Sequence, residues 1–251
     1  VAGDIQAILH ALASDYRKIG TRTLRKLSGF FALAILDRPN CTALLAIDRI
    51  GIQSLYYAAK LDDLLFASTP AALIRLGGFD SSIDPQAVYD YIYCHMIPSP
   101  RTIFRGLRKL PAGHFLEWRN GTIRVEPYGL PHFSETDIDA VTVGRKMLSV
   151  IETAVRRESD AAPDTKIGAF LSGGIDSSTV TGLLARTTGT ADAYSIGFEA
   201  PGYDEMEYAR IAVSHFRAVA HEYYVTPDDA VAWLPELAAA TDEPFGNSSL
   251  L

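Results

Sequence analysis

The residues best suited to chemistry lie between Ser172 and Ser178, where three hydroxyls, two glycines and one carboxylate are close together. Glycine lets the backbone approach an anion closely, and serine hydroxyls can donate hydrogen bonds to it. The stretch has no lysine, unlike the Gly-x-x-x-x-Gly-Lys-Ser/Thr loop of kinases and GTPases. Its carboxylate, Asp176, suits a phosphate site only if a divalent cation lies between the two charges. These residues therefore predict a loop for Mg²⁺-pyrophosphate.

The elements around this stretch predict how the loop is held. The apolar run Ile167–Leu171 predicts a buried strand, and a helical pattern with Leu183 and Leu184 on one face follows the glycines. A helix that begins here would direct its free amides and the positive end of its dipole at an anion. We expect those amides to belong to Ser177, Ser178 and Thr179. The alternative is a strand-to-helix turn whose glycines serve only steric needs.

The sequence Ser172-Gly173-Gly174-Ile175-Asp176-Ser177-Ser178 after an apolar strand resembles the pyrophosphate loop of ATP pyrophosphatases, in particular of the asparagine synthetases. The resemblance implies ATP and Mg²⁺ as cofactors, with Asp176 as the catalytic residue and Mg²⁺ ligand. It also implies nucleotide contacts from the first strand end, the loop and the Ser-Ile-Gly-Phe segment of the next strand. These residues are Leu171, Ser172, Gly173, Gly174, Asp176, Ser177, Ser178, Ser195, Ile196 and Gly197.

The first half of the chain resembles the later part of the glutaminase domain that precedes the synthetase domain in this family. The family patterns Gly-x-Phe-Ala-x-Ala-x-x-Asp and Asp-Arg-x-Gly-Ile-Lys-Pro-Leu-Tyr-Tyr match residues 29–37 and 48–57, apart from Gln53 and Ser54 in place of Lys and Pro. By the same resemblance, Asp4 would hold the ammonium group of glutamine. From the residues alone, Asp4 is a cap for the helix that follows it.

The stretch Asp242-Glu243-Pro244-Phe245-Gly246-Asn247 resembles the Asp-Glu-Pro-Phe-x-Asp segment beside the acceptor site of the family. Asp242, Glu243 and Asn247 are therefore acceptor-site candidates, and Asn247 stands where the family has an acid. The alternative is an acidic helix end followed by a proline stop.

The order of patterns predicts an α/β fold with two domains. Strands at 30–36, 43–47 and 64–68 predict an antiparallel first half, and alternating strands and helices after residue 140 predict a doubly wound parallel sheet. The resemblance makes these a partial Ntn-type glutaminase domain over 1–130 and an adenine-nucleotide α-hydrolase-like (PP-loop) domain over 140–251, with a linker at 131–139. The first segment predicts an amphipathic helix over Asp4–Tyr16 with Ile5, Ile8 and Leu9 on its apolar face.

Charge and composition exclude some partners. A net charge of −7 without a basic run argues against nucleic acid and anionic membranes, and no apolar run approaches the length of a membrane helix. Cys41 and Cys94 have no metal-type spacing, so we expect small core residues in a reduced, cytoplasmic protein. The cluster of Arg101, Arg105, Arg108 and Lys109 predicts a solvated face.

The resemblance implies conversion of aspartate to asparagine through an acyl-adenylate, with release of AMP and pyrophosphate and with nitrogen from glutamine or ammonia. A homodimer is compatible with it. Two other interpretations stay open: a relative with an inactive glutaminase half that adenylates another carboxylate in a biosynthetic cluster, and a non-catalytic ATP-binding homologue. The chain begins without Met and looks truncated at both ends, so that the family's N-terminal cysteine, catalytic lysine and second acidic segment fall outside it. We therefore expect little catalysis from these residues alone.

Overall fold

The computed structural model describes residues 5–60, 63–135, 138–161, 165–199, 204–244 and 246. Contacts between these residues divide them into two compact units. The first unit holds the described residues of 5–133 together with 235–246, and the second holds those of 134–234. The predicted domain limits of 1–130, 131–139 and 140–251 stay a prediction.

The first unit combines helices with two antiparallel sheets. One sheet has four strands in the order β1-β2-β6-β7, and the other has three in the order β4-β3-β5. The predicted antiparallel arrangement is confirmed for β1 and β2, with Leu33 opposite Ala46. In chain order the elements are α1 (Ile5–Ile19), a 3₁₀-helix (Gly20–Lys26), β1 (Ala32–Asp37), β2 (Thr42–Ile47), β3 (Tyr56–Lys60), β4 (Asp63–Ala67), α2 (Pro70–Leu76), α3 (Pro85–Cys94), β5 (Arg108–Lys109), β6 (His114–Arg119) and β7 (Thr122–Pro127).

Strand β2 lies at the centre of the four-stranded sheet and is buried on both faces. Leu45 on one face packs with Leu55 and Leu116, whereas Leu44 on the other face packs with Leu24. Burial of each such leucine side chain stabilises the fold by about 1.5–3 kcal/mol. The continuous apolar sequence of β2 follows from this two-sided burial.

The second unit is built on a parallel sheet with the strand order β10-β9-β8. Its elements are α4 (Ala140–Ala161), β8 (Gly168–Phe170), α5 (Ile175–Thr188), β9 (Asp192–Phe198), α6 (Met206–Phe216) and β10 (Val219–Val225). The helix α7 (Pro227–Ala240) follows β10. Parallel strands that alternate with helices confirm the predicted α/β class.

Alternate residues of the parallel sheet face opposite sides. Ala193 is buried with Met206 and Ala209 of α6, and Ala169 is buried with Leu184 of α5. The opposite side of the described sheet exposes large side chains, among them Phe170 and Tyr194. The helices α5 and α6 therefore cover one face of β8 and β9.

The predicted amphipathic helix is confirmed as α1, although its apolar positions are exposed, with Ile5 at 70% and Leu9 at 51%. The burial prediction for the cysteines is wrong, and the prediction for the basic cluster holds only in part. Both cysteines are exposed rather than in the core. The basic cluster is only partly a solvated face, because Arg101 pairs with Asp90 and Lys109 pairs with Glu243. Periodicity identifies an apolar face, but it does not tell what covers that face.

Candidate functional site: a glycine loop at a helix N-terminus

The predicted loop joins the end of β8 to the start of α5. Leu171 is buried, and its N–H donates to the Tyr194 carbonyl oxygen at 2.8 Å, which extends the pairing of β8 with β9. The chain then turns through Gly173 and Gly174, and α5 begins at Ile175 with Gly174 as its N-cap. The loop thus follows the carboxyl end of a parallel strand, where ligands bind in open α/β sheets.

Gly173 is required by both conformation and space. Its φ of +82° lies in the left-handed region, which other residues rarely adopt. A Cβ at this position would lie 2.5 Å from Tyr208 Cβ and 2.6 Å from the Ala209 backbone nitrogen. The loop is therefore packed directly against α6, and the glycine permits this contact.

The hydroxyls of the loop form a local network. Ser172 Oγ and Ser177 Oγ lie 3.1 Å apart, and the Ser172 N–H donates to Ser177 Oγ at 3.2 Å. Ser177 Oγ also lies 3.2 Å from the Gly174 carbonyl oxygen, to which it can donate. The side chains of the loop therefore hold it in one conformation. The hydroxyls of Ser172 and Ser177 lie where they could contact an anion.

The amides available to an anion differ from those predicted. The Ser178 N–H donates to the Gly174 carbonyl oxygen at 3.0 Å, so the helical hydrogen bonds begin one residue after Ser177. The amides that precede the first helical bond belong to Ile175, Asp176 and Ser177. The prediction for Ser178 and Thr179 is wrong because the helix starts two residues earlier than expected.

Asp176 lies in the first turn of α5, and its side chain is exposed. A carboxylate here is favoured by the positive end of the helix dipole. Within the described ranges, no group of three or more His, Cys, Asp or Glu residues could hold a metal ion. Mg²⁺ is commonly bound by one or two carboxylates with phosphate oxygens and water, so this single carboxylate fits such an ion when phosphate is present.

The three site residues predicted on β9 have different environments in the structure. Ser195 is buried and its Oγ donates to the Leu171 carbonyl oxygen at 2.7 Å, so the side chain joins two strand ends. Ile196 is 43% exposed on the opposite face. A Cβ on Gly197 would lie 2.7 Å from the Tyr224 ring and 3.0 Å from Asp204 Oδ1. Any contact of Ser195 with a nucleotide would therefore involve its backbone.

A polar group beside Gly197 was not predicted from the sequence as part of the site. The Tyr224 hydroxyl donates to Asp204 Oδ2 at 3.3 Å. Arg210 forms an ion pair of 2.6 Å with Glu222. The local sequence indicates no more for Asp204 than a helix start. The signal that could have identified it is its place directly before α6, at the carboxyl edge of the sheet.

The acceptor-site candidates lie in the first unit, whereas the glycine loop lies in the second. Glu243 pairs with Lys109, and burial raises the pKa of Glu243 more than this lysine lowers it. Burial also raises the pKa of Asp242. Asp4 and Asn247 lie outside the described residues, so their predicted roles stay predictions.

Two family matches cover most of the chain. Residues 2–129 match the family described as glutamine amidotransferase domain, and residues 146–251 match the family described as asparagine synthase. The described part of the chain has no helix with the length and apolar character that crossing a membrane requires.

Three curated relatives are similar to this chain over two thirds of its length or more. A protein of Mycobacterium tuberculosis, named provisionally as an asparagine synthetase (glutamine-hydrolyzing), is 32% identical over 99% of this chain and 38% of its own length. Asparagine synthetase (glutamine-hydrolyzing) 1 of Bacillus subtilis is 25% identical over 96% of this chain and 38% of its own length. Amidase chyE of Penicillium rubens is 28% identical over 68% of this chain and 25% of its own length.

The chain spans 38% of the length of the first two of these relatives. The two matches follow one another in the order that the motifs predict, with the amidotransferase match over the antiparallel sheets and the glycine loop inside the synthase match. The motifs and the two family matches give the same arrangement. A glutamine amidotransferase region is followed by a synthase region. The chain therefore belongs to the asparagine synthetase (glutamine-hydrolyzing) family.

Proposed function

We propose that the protein forms an amide from a carboxylic acid at the expense of ATP, with aspartate as the acceptor and asparagine as the product. The observation that carries the proposal is the strand, Ser-Gly-Gly turn and helix start, with Asp176 in the first helical turn. This geometry presents backbone amides and hydroxyls to an anion, and it lacks the lysine of γ-phosphate-transferring loops. The site is thus suited to the pyrophosphate part of ATP.

The proposed chemistry has two steps. A carboxylate oxygen of the acceptor attacks the α-phosphorus of ATP, and the bond to the β-phosphate breaks with release of pyrophosphate. Ammonia then attacks the carbonyl carbon of the acyl-adenylate, and AMP leaves with the former carboxylate oxygen. The amides of Ile175, Asp176 and Ser177 would bind the departing pyrophosphate, because the charge that develops there meets preorganised donors.

Asp176 is the residue that we propose to hold Mg²⁺ against the phosphates. When bound, Mg²⁺ would supply charge neutralisation for the departing pyrophosphate. The match to the amidotransferase domain supports glutamine as the source of the nitrogen, with Asp4 as the proposed ligand of its ammonium group.

A second candidate is adenylation of a different carboxylic acid. The similarity to an amidase, chyE, shows that this chain has relatives whose names do not include asparagine. Asn247, which stands where the family has an acid beside the acceptor, supports a changed acceptor site.

Pyrophosphate release by the complete polypeptide that carries these residues separates the candidates. With ATP and ammonia, we expect release to depend on aspartate and to fall about 100-fold or more in Asp176→Asn. Asp160→Asn, which changes an exposed carboxylate on α4 of the same unit, is the matched control and should have no effect. Stimulation by another carboxylic acid in place of aspartate would favour the second candidate. No stimulation by any acid would contradict both and favour a non-catalytic homologue.

A further inference from the structure

A largely buried ion pair joins two distant parts of the first unit. Lys109, at the end of β5, pairs with Glu243, which follows α7. The side chains are only 19% and 10% exposed, and among the described ion pairs none is buried as deeply on both sides. Surface pairs contribute little to stability, but a buried pair is strongly destabilising when one partner is removed. Removal of either partner alone should therefore destabilise the contact between the two segments.

The environment of Glu243 makes the link dependent on Lys109. Burial raises the pKa of the Glu243 carboxyl, and Lys109 acts against this by a hydrogen bond and by its charge. Glu243 Oε1 is buried and has no hydrogen-bond partner among the described residues. A buried carboxylate with one unpaired oxygen is costly, so it depends on the cation that reaches it.

One further hydrogen bond holds the same segment, and its two carboxyl groups influence Tyr56. The Gly246 N–H donates to the His95 carbonyl oxygen at 2.9 Å, directly after the end of α3. Tyr56, whose pKa is raised first by burial and then by Glu243 and Asp242, lies opposite Lys109 in the pairing of β3 with β5. Residues 242–244 and Gly246 are thus held beside β3, β5 and the end of α3, and we call them the anchored segment.

Lys109 also borders a cavity of about 230 Å³ in this unit. The lining also includes Gln53 and Ser54, at the end of the loop whose amides bind the buried carboxylate of Asp48. One lysine therefore contacts both the cavity and the anchored segment. Lys109 lies in the amidotransferase match and Glu243 lies in the synthase match. The ion pair therefore joins the two matched regions of the sequence.

We propose that Lys109 and Glu243 are positioning residues that fix the anchored segment of the synthase region on the amidotransferase unit. The inference rests on the proposed function in one respect: the pair joins the amidotransferase match to the synthase match, so its loss should impair the use of nitrogen released from glutamine more than the use of added ammonia. Neither residue needs to touch a substrate for this effect. The pair acts through the position of the segment that follows α7.

Hydrogen exchange tests the positioning without reference to activity. In the complete polypeptide, Lys109→Met and Glu243→Gln should each accelerate exchange of the Gly246 amide about tenfold or more, because its bond to His95 is made by the anchored segment. Lys109→Arg, which keeps the charge, should stay within about threefold of the wild type. The control is Lys26→Met, which removes an exposed pair with Asp15 in the same unit and should leave this amide unchanged.

A double substitution guards against a variant that merely unfolds. The double variant Lys109→Met with Glu243→Gln removes the pair without leaving a lone buried charge, so its effect should be smaller than the product of the two single effects. Multiplicative single effects, or an unchanged exchange rate at Gly246, would overturn the proposal.

Activity provides the second readout. We expect Lys109→Met to lower amide formation with glutamine at least about fivefold more than amide formation with added ammonia, whereas Lys26→Met lowers neither. An equal loss with both nitrogen sources, despite faster exchange, would overturn the positioning role. If the wild type makes no amide from either source, the proposed function fails, and the exchange measurement alone decides whether the pair fixes the segment.

Discussion

Gly173 is the residue at which the loop tolerates the least change. Its positive φ and its contact with α6 are separate constraints, and the chain offers a position that has only the first of them. Gly189, after α5, has a φ of +87°, but a Cβ added there would meet no atom within 4 Å among the described residues. A comparison of the two positions separates the loss of folding stability caused by the left-handed conformation from the loss caused by steric overlap.

We expect Gly189→Ala to destabilise the second unit by about 1–2 kcal/mol, which is the cost of a left-handed conformation. Gly173→Ala should cost about 2–5 kcal/mol, because overlap with Tyr208 and Ala209 is added to it. Denaturant unfolding in a Trp118→Phe background, in which Trp233 is the single tryptophan, would report on this unit. Equal losses in the two variants would contradict the packing of the loop against α6.

The loop after β2 is an element organised by one side chain. Asp48 is buried, and its carboxylate accepts hydrogen bonds from the backbone N–H groups of Ile50, Ile52 and Gln53 at 3.0 to 3.2 Å. Burial is the largest influence on this carboxyl and raises its pKa. The backbone donors together outweigh burial, and the net pKa of Asp48 is lowered. The charged carboxylate therefore stabilises the loop that borders the cavity.

Asp48→Asn should cost about 1.5–3 kcal/mol at neutral pH, since the charge is lost and the amide NH2 group would replace the oxygen that accepts from the Gln53 N–H. Because the folded pKa is lowered, the contribution of Asp48 is full above the ordinary aspartate pKa of about 3.9 and is lost as the pH falls through the folded value. The difference between wild type and variant should shrink over that interval. Unfolding followed by Trp118 in a Trp233→Phe background measures it, with Asp63→Asn as the exposed control. A difference that does not change with pH would refute this role.

Elements with local signals could be predicted from the sequence. Thr226 and Pro227 predict the start of α7, and the structure confirms it: the Asp229 N–H donates to Thr226 Oγ1 at 3.2 Å. Asp84 caps α3 in the same way, by accepting a hydrogen bond from the Gln86 N–H at 3.0 Å. Helix caps can be predicted from the sequence because the donor and the acceptor are only a few residues apart. The exposure of the apolar face of α1 could not be predicted from the sequence, since periodicity does not identify a packing partner.

At the scale of the whole molecule, two regions that match different families follow one another along the chain. Their order was predictable because each carries a motif in continuous sequence, such as residues 48–57 and 172–178. The grouping of residues 235–246 with the first unit was not, because Lys109 and Glu243 are 134 positions apart and no local pattern links them. The polar group beside Gly197 could not be predicted for the same reason. Gly197 lies close to Asp204 and Tyr224 only in the folded structure.

The central claim of the proposed function is transfer of an acceptor oxygen to the α-phosphate. The direct measurement uses the complete polypeptide with ATP, ammonia and aspartate labelled with ¹⁸O in the side-chain carboxylate. If the acyl-adenylate forms, each amide produced should be accompanied by one AMP that carries one ¹⁸O atom and by unlabelled pyrophosphate. Formation of ADP with ¹⁸O in inorganic phosphate, or of AMP without label, would contradict it.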